Sequence, residues 1–198
     1  MDTVPQIEEI REFFDRRAQT WDSLDRGSPE KIAAIVTLAG VKEGSRAADI
    51  ACGTGILFPE ILSRNPAYLL GADLSEKMIG RAHSKFSDRR LHLLASDCFD
   101  LHESGFDTVL IYNAYPHFPD KKRLAAHMAS MLRTGGRLMI AHGDGRAVIN
   151  GRHSGKMTGH ISWELRPAEE EAAEFSGLFQ IDMTADTEKI YFFSGLKR

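Results

Sequence analysis

The stretch RAADIACGTGILF, Arg46 to Phe58, decides how the chain is read. Its first half is short and apolar and ends at Asp49-Ile50, the pattern of a buried strand. A turn follows, Ala51-Cys52-Gly53-Thr54-Gly55, and then a helix. Two glycines within three residues let the backbone approach a ligand closely, because neither carries a Cβ. The first turn of a helix offers free N–H groups and a partial positive charge to whatever the turn holds. In an open α/β sheet ligands bind here, outside the carboxyl ends of the strands. The stretch reads as a nucleotide or nucleoside site; the plain alternative is an αβ turn whose glycines serve chain geometry alone.

Length and charge narrow the classes. A chain of 198 residues forms one domain and buries about 70% of its unfolded surface without staples. Its net charge is −3 and its basic residues are scattered, so it carries no electrostatic footprint for nucleic acid. The basic runs Arg89-Arg90 and Lys121-Lys122-Arg123 read as solvated surface. No apolar run approaches a membrane span, and an N-terminus with Asp2 and Glu8-Glu9 does not read as a signal peptide. Cys52 and Cys98 fall at strand ends and read as reduced thiols of a cytoplasmic protein.

Outward from the central turn, strands and helices alternate, which implies an α/β, doubly wound, mostly parallel sheet. Residues 5–24 space Ile7, Ile10, Phe13, Phe14, Ala18 and Trp21 as an amphipathic helix. Ser28-Pro29-Glu30 caps a second helix that stops at Gly40. Tyr68 to Asp73 is a second strand ending in an acid. Asp73 lies 18 residues past Gly55, close to the spacing of about 20 at which this topology places a ribose-binding carboxylate. Ser75 caps the next helix, and Leu91 to Leu94 is the third strand, followed by Asp97-Cys98. Phe106 to Tyr112 is the fourth strand, Lys121 to Leu132 a helix, and Arg137 to Ala141 the fifth strand. From His142 to about Arg166 the hydrophobic period is lost; a glycine-rich loop this long is functional or mobile. Pro167 to Phe175 is a helix, and strands over 180–185 and 190–193 close the sheet as an antiparallel hairpin.

Two cofactor classes compete for the turn. In the dinucleotide fingerprint G-x-G-x-x-G/A the third small residue falls, counted from Gly53, on Phe58, which does not fit. The form Asp49-x-Ala51-x-Gly53-x-Gly55 resembles instead the S-adenosylmethionine loop of the class I methyltransferases, D-x-[GA]-C-G-T-G. The segment ADLSEKMIGRA (residues 72–82) is similar to that family's second motif. LRTGGRLMI (132–140) resembles its turn before the fifth strand, with Thr134 where proline is usual. FFDRRAQTWD (13–22) resembles the N-terminal helix of its small-molecule branch. The likeness in order and spacing covers roughly residues 13 to 194 and thins after His142.

The resemblance implies a seven-stranded sheet with an antiparallel last strand and helices on both faces. It implies a single domain over residues 1–198, with lid helices at about 5–40 and a substrate cover at about 142–166. It also implies a cofactor site of Asp49, Ala51, Cys52, Gly53, Thr54, Gly55, Asp73, Leu74, Met78, Asp97, Cys98 and Asn113. There Asp73 would accept from the ribose hydroxyls, Asp97 from the adenine amino group, and the Cys98 N–H would meet a ring nitrogen. The implied activity is methyl transfer from S-adenosyl-L-methionine to a small-molecule acceptor, by a monomer or homodimer with no nucleic-acid or membrane partner.

An oxygen nucleophile would need a base within hydrogen-bond reach. His117 is the first candidate from its place after the fourth strand, with His142, His153 and Tyr115 next. Each has a duller reading, as a turn or loop residue, and His160 reads as loop surface. A metal held by His117, His142 and His153 is the minor alternative, matching no zinc spacing. Two other functions stay open: binding of S-adenosylmethionine without catalysis, and a nicotinamide-dependent oxidoreductase.

Overall fold

Alternation along each central strand sorts its side chains onto two faces of one sheet. Ala48, Ile50, Leu70, Ala72, Val109, Ile111, Leu138 and Ile140 join one core. Their neighbours Ala47, Leu69, Leu110, Tyr112, Met139 and Ala141 join the other. Strands buried on both faces read as continuous apolar runs, which is why these were legible without a polar alternation.

The computed structural model describes residues 7–23, 27–153 and 161–198. Helix α1 (Ile7–Arg17) continues into a 3-10 helix, Ala18–Ser23, and α2 spans Pro29–Leu38. Then come β1 (Arg46–Ile50), α3 (Phe58–Ser63), β2 (Tyr68–Asp73), α4 (Glu76–Lys85), β3 (Leu91–Ala95) and β4 (Phe106–Tyr112). The second half holds α5 (Lys121–Met131), β5 (Leu132–His142), α6 (Arg146–His153), α7 (Ala168–Ala173), β6 (Phe179–Asp186) and β7 (Tyr191–Lys197). The seven strands lie in the order β3-β2-β1-β4-β5-β7-β6. The first five are parallel, and β7 inserts antiparallel between β5 and β6. This is the expected doubly wound α/β sheet with an antiparallel end. Helices α2, α3 and α4 pack on one face, through Ile35, Ile61 and Ile79, and α5 and α7 on the other, through Leu124 and Ala172.

Local chemistry sets the boundaries. Ser28 caps α2 by accepting from the Lys31 N–H, and Gly40 turns the chain at a φ of 75°. Ser75 and Asp120 cap α4 and α5 in the same way. Several expectations change. The fifth strand, expected over 137–141, spans Leu132–His142, and the amphipathic stretch expected as one helix over 5–24 is divided into α1 and the 3-10 helix Ala18–Ser23. The helix foreseen directly after the glycine turn begins only at Phe58, because residues 51–57 form successive turns. The span 142–166 is not one long loop: α6 occupies its first part, and Ile161 and Leu165 are buried in its last. His160 and the rest of 154–160 lie outside the described residues. β1 runs to β2 and β4 on opposite sides, so the topological switch lies at the carboxyl ends of β1 and β4, where this architecture places a ligand.

Candidate active site

The turn after β1 is shaped by left-handed backbone. Ala51, Gly53 and Gly55 have φ values of 56°, 56° and 87°, a conformation glycine adopts freely and alanine only at a cost. Gly55 has a second reason to be glycine: a Cβ there would come within 2.3 Å of the Phe58 ring. A Cβ on Gly71, in the middle of β2, would meet the same ring at 2.5 Å. Phe58 thus fills the space that two missing side chains leave, and closes edge-on against Phe86 at 5.4 Å. The dinucleotide fingerprint achieves close packing with a third small residue; here an aromatic ring achieves it against two glycines.

Asp73, at the end of β2, binds the turn. Its carboxylate accepts from the Gly53 N–H at 2.7 Å and from the Ser75 N–H at 2.9 Å. Burial pushes its pKa up to about 6, the two N–H groups pull it back, and Asp15 adds to the rise. A carboxylate has about four lone-pair positions; two are taken, leaving room for a pair of hydroxyls. Asp97, after β3, accepts from the Phe99 N–H at 3.0 Å and keeps acceptor capacity for a further donor. Asp49 is 1% exposed, and among the described residues neither of its oxygens has a hydrogen-bond partner. Burial and the neighbouring Asp73 charge push it well above the ordinary carboxylate value.

Asp73 and Asp97 line a cavity of about 680 Å³. Of the expected cofactor residues, Ala51, Cys52, Gly53, Thr54, Asp73, Leu74, Met78, Asp97, Cys98 and Asn113 line it. Asp49 and Gly55 are not on its wall: one is buried in the core, the other faces Phe58. Cys52 and Cys98 are free thiols, and burial raises both, Cys98 to about 12. They serve as small wall residues, since a thiol held protonated is a poor nucleophile.

The N-terminal segment covers the cavity. Ile7, Ile10, Phe14 and Trp21 line it from that side, with Trp21 edge-on to Phe14 at 5.5 Å. Asp15 accepts from the Ser75 hydroxyl and from Arg11 at 3.0 Å. Asp22 accepts from the Thr54 hydroxyl, and from Lys85 at 2.9 and 3.0 Å. Burial opposes the Asp22 charge, but Thr54, Lys85 and Arg81 outweigh it and hold the pKa below its usual value.

At the other end lie Tyr112, Asn113, Ala114, His117, Phe118 and Pro119. Asn113 has a φ of 56°, and its side-chain oxygen accepts from the Gly143 N–H at 3.0 Å, joining the ends of β4 and β5. His117 sits on a 3-10 turn, Tyr115–His117, edge-on to Phe14 at 5.1 Å. Its Nδ1 faces the Ile161 carbonyl at 2.9 Å. A carbonyl only accepts, so the neutral ring carries its proton on Nδ1 and Nε2 is the basic atom.

The other expected bases are not brought there. Tyr115 does not reach the cavity: it is fully buried, its hydroxyl donates to Glu171 at 2.8 Å, and burial raises its pKa far above normal. His142 is 2% exposed and packs edge-on against Tyr191 at 5.9 Å. It is the last residue of β5, at the strand's carboxyl end, but does not line the cavity. His153 ends α6, and its side chain lies outside the described residues. Among the described residues no group of three His, Cys, Asp or Glu side chains is placed to hold a metal. Sequence reasoning missed Tyr112, Lys85, Phe99 and Arg123 on the cavity wall. Tyr112 was readable as the last residue of the fourth strand; the others reach the wall only through tertiary packing.

A nucleoside fits this donor set: Asp73 has lone pairs for a ribose diol, Asp97 for an exocyclic amine, and Gly53 lets the backbone approach. Fold and site together define the class I, Rossmann-like methyltransferase type. Residues 47–136 match the family model described as a methyltransferase domain, and in this part the chain is similar to the class I S-adenosylmethionine-dependent methyltransferases. Its relatives include the ubiquinone biosynthesis O-methyltransferases of Sinorhizobium medicae and Aromatoleum aromaticum. The first is 40% identical over 160 residues, covering 70% of this chain and 64% of the relative. The second is 31% identical over 144 residues, covering 67% and 61%. The chain thus spans somewhat under two thirds of the length of these relatives. In fold it resembles the magnesium protoporphyrin IX methyltransferase of Synechocystis, solved with bound S-adenosylhomocysteine, at a TM-score of 0.73 and 18% identity over 98% of this chain and 100% of that one.

Proposed function

We propose that the chain is an enzyme that transfers a methyl group from S-adenosyl-L-methionine to a small-molecule acceptor. The observation that carries the reading is Asp73, a half-buried carboxylate with two lone-pair positions open, set by the Gly53 and Ser75 N–H groups beside the cavity. Asp73 would take the ribose hydroxyls, Asp97 the adenine amino group, and the Ala51–Thr54 turn the amino-acid portion. The small-molecule acceptor accords with the activities named for the ubiquinone-pathway relatives and for the Synechocystis enzyme.

When bound, S-adenosylmethionine supplies a methyl group on a positively charged sulfur. The protein's contribution is to orient the acceptor, exclude water and receive a proton. Ile7, Ile10, Phe14 and Trp21 form an apolar cover that lowers the local dielectric, and positioning can supply much of the barrier reduction. For an acceptor that attacks through a hydroxyl, His117 Nε2 takes the O–H proton. The lid at about 5–40 and the cover at about 142–166 belong to the same single domain. We assign the protein to the cytoplasm, as a monomer or homodimer; among the described residues no helix is long and apolar enough to cross a membrane.

Calorimetric titration with S-adenosylmethionine, S-adenosylhomocysteine and NAD, on the wild type and Asp73→Ala, tests the reading. Binding of the first two, lost in the variant, supports it. Binding of NAD alone overturns it in favour of a nicotinamide enzyme.

A further inference from the structure

We propose that Lys121 and Glu171 are positioning residues for His117, which together hold the Tyr115–His117 turn where its imidazole meets the cavity. The inference rests on the reading of His117 as the proton acceptor.

Lys121 stands in the basic run 121–123 that reads as solvated surface in the sequence, yet its side chain is turned inward. Its Nζ donates to the Tyr115 carbonyl at 2.8 Å and lies 3.5 Å from the centre of the Tyr115 ring. The same tyrosine's hydroxyl donates to Glu171, 2% exposed, at 2.8 Å. Tyr115 is therefore fixed at both ends by opposite charges, one from the first turn of α5 and one from α7. The next two residues are fixed as well. The Pro116 carbonyl accepts from the Trp163 N–H at 2.9 Å, and His117 Nδ1 meets the Ile161 carbonyl at 2.9 Å.

Local rules oppose this placement of Lys121. A cation at a helix N-terminus is disfavoured by the helix dipole, and burying it removes its hydration. An apolar side chain there would be expected to be no less stable. What the lysine adds is a directed hydrogen bond to the Tyr115 carbonyl, one of the two, with that of Ala114, that accept the N–H groups closing the turn.

Burial lowers the Lys121 pKa to about 7; Glu171 works against that and Arg166 with it. Among the described residues, the charged groups that act on it are Glu171 on α7 and Arg166 before α7, and Tyr115 on the preceding turn is in contact with it. Burial opposes ionisation of Glu171, but Arg166, Tyr115 and Lys121 outweigh it and hold its pKa below normal. The titrating member near neutrality is thus the lysine, charged below about pH 7 and neutral above.

The test needs no acceptor. In the full chain with ¹³C/¹⁵N-labelled histidine, the His117 ring signal, assigned with His117→Asn, is followed against pH in the wild type, Lys121→Met and Glu171→Gln. The wild-type curve should show its own titration and a second inflection near pH 7. Lys121→Met should lose the second inflection and shift the His117 midpoint by about half a unit or more, with no drop in thermal stability. Glu171→Gln, nearly isosteric, should move the same signal in a protein that folds. Curves that superimpose on the wild type in both variants overturn the proposal, as does a Lys121→Met effect confined to melting temperature. S-adenosylhomocysteine titration of the same samples separates the two levels: an unchanged NMR coupling without binding removes the methyltransferase reading, and with it the role of His117.

Discussion

The two ends of the cavity are built in different ways. The β1–β3 end is made of short-range pieces, each a strand end plus the turn that leaves it. Asp73, at the end of β2, accepts from Gly53 in the turn that leaves the adjacent strand β1 and from Ser75 in the turn that follows it. The end beyond β4 is assembled across the chain: His117 meets Ile161, and Tyr115 meets Glu171. A site made of turns is set once the sheet forms, whereas one made of distant segments needs the whole fold. The end proposed for the cofactor should therefore answer to single local changes, and the end proposed for the acceptor to changes far from it.

The largest effect should fall on Asp73. Asp73→Asn replaces a charged acceptor by a neutral one whose amide also confronts a backbone N–H. Two charge-assisted hydrogen bonds to a ribose, at about 1.5–3 kcal/mol each, predict a loss of roughly 100-fold or more in S-adenosylhomocysteine affinity. The wild type should show the same dependence through pH. With a folded pKa of about 6, protonation below that value turns an acceptor into a donor. Affinity should then fall by about tenfold per unit below pH 6. Calorimetry across pH 5 to 8 checks both, and an affinity flat over that range would detach Asp73 from the ligand.

Second in size is the packing beneath the turn. Gly71→Ala would place a Cβ 2.5 Å from the Phe58 ring and 2.8 Å from Leu93, and overpacking of this kind costs about 1–3 kcal/mol. Chemical denaturation should show that loss, and a smaller one when Phe58→Leu is already present, because the two sites share one space. Additive losses would mean that the ring is not what requires the glycine.

This contrast also explains what the sequence could show. The limits of β1, β2 and β4, the caps Ser28 and Ser75, and the cavity residues from Ala51 to Cys98 were readable because each sits in a strand end or in the turn that leaves it, and those are set by local sequence. The late start of α3 was not, since only the left-handed turn geometry delays it. Helix α6 was missed because Ile149 is its buried apolar contact while Val148 is exposed, which leaves no period to read. Lys121 looked like surface because its partners lie across the chain. Tyr115 and His142 looked catalytic by position after their strands, and only packing turns them into the core.

A third, smaller effect concerns Asp49. Its pKa is raised on folding, so its contribution to stability is present in acid and is lost as pH rises through the folded value. Asp49→Asn removes that titration. The variant should melt higher than the wild type, by about 2–4 °C for each kcal/mol regained, with the gap widening as pH rises. Scanning calorimetry at two pH values decides it. A gap that narrows with pH would mean that the carboxylate has a partner when ionised.

The smallest effect should belong to the lid. Asp22 ties the N-terminal segment to the Thr54 hydroxyl and to Lys85, with Asp22 about one-third exposed. Ion pairs so placed contribute about 0.2–1 kcal/mol, so Asp22→Asn should leave the fold intact. The cover bears on the cavity rather than on the sheet, and its loosening should speed ligand escape. A few-fold rise in the S-adenosylhomocysteine off-rate, larger at low salt than at high, is the expected signature in stopped flow. Asp15→Asn, which weakens the tie to Ser75, should act in the same direction. Because Ser75 also donates its N–H to Asp73, that variant should weaken equilibrium affinity as well. If both variants change only the off-rate, the lid and the ribose carboxylate work independently; if Asp15→Asn alone lowers affinity, the lid reports to the cofactor end through Ser75.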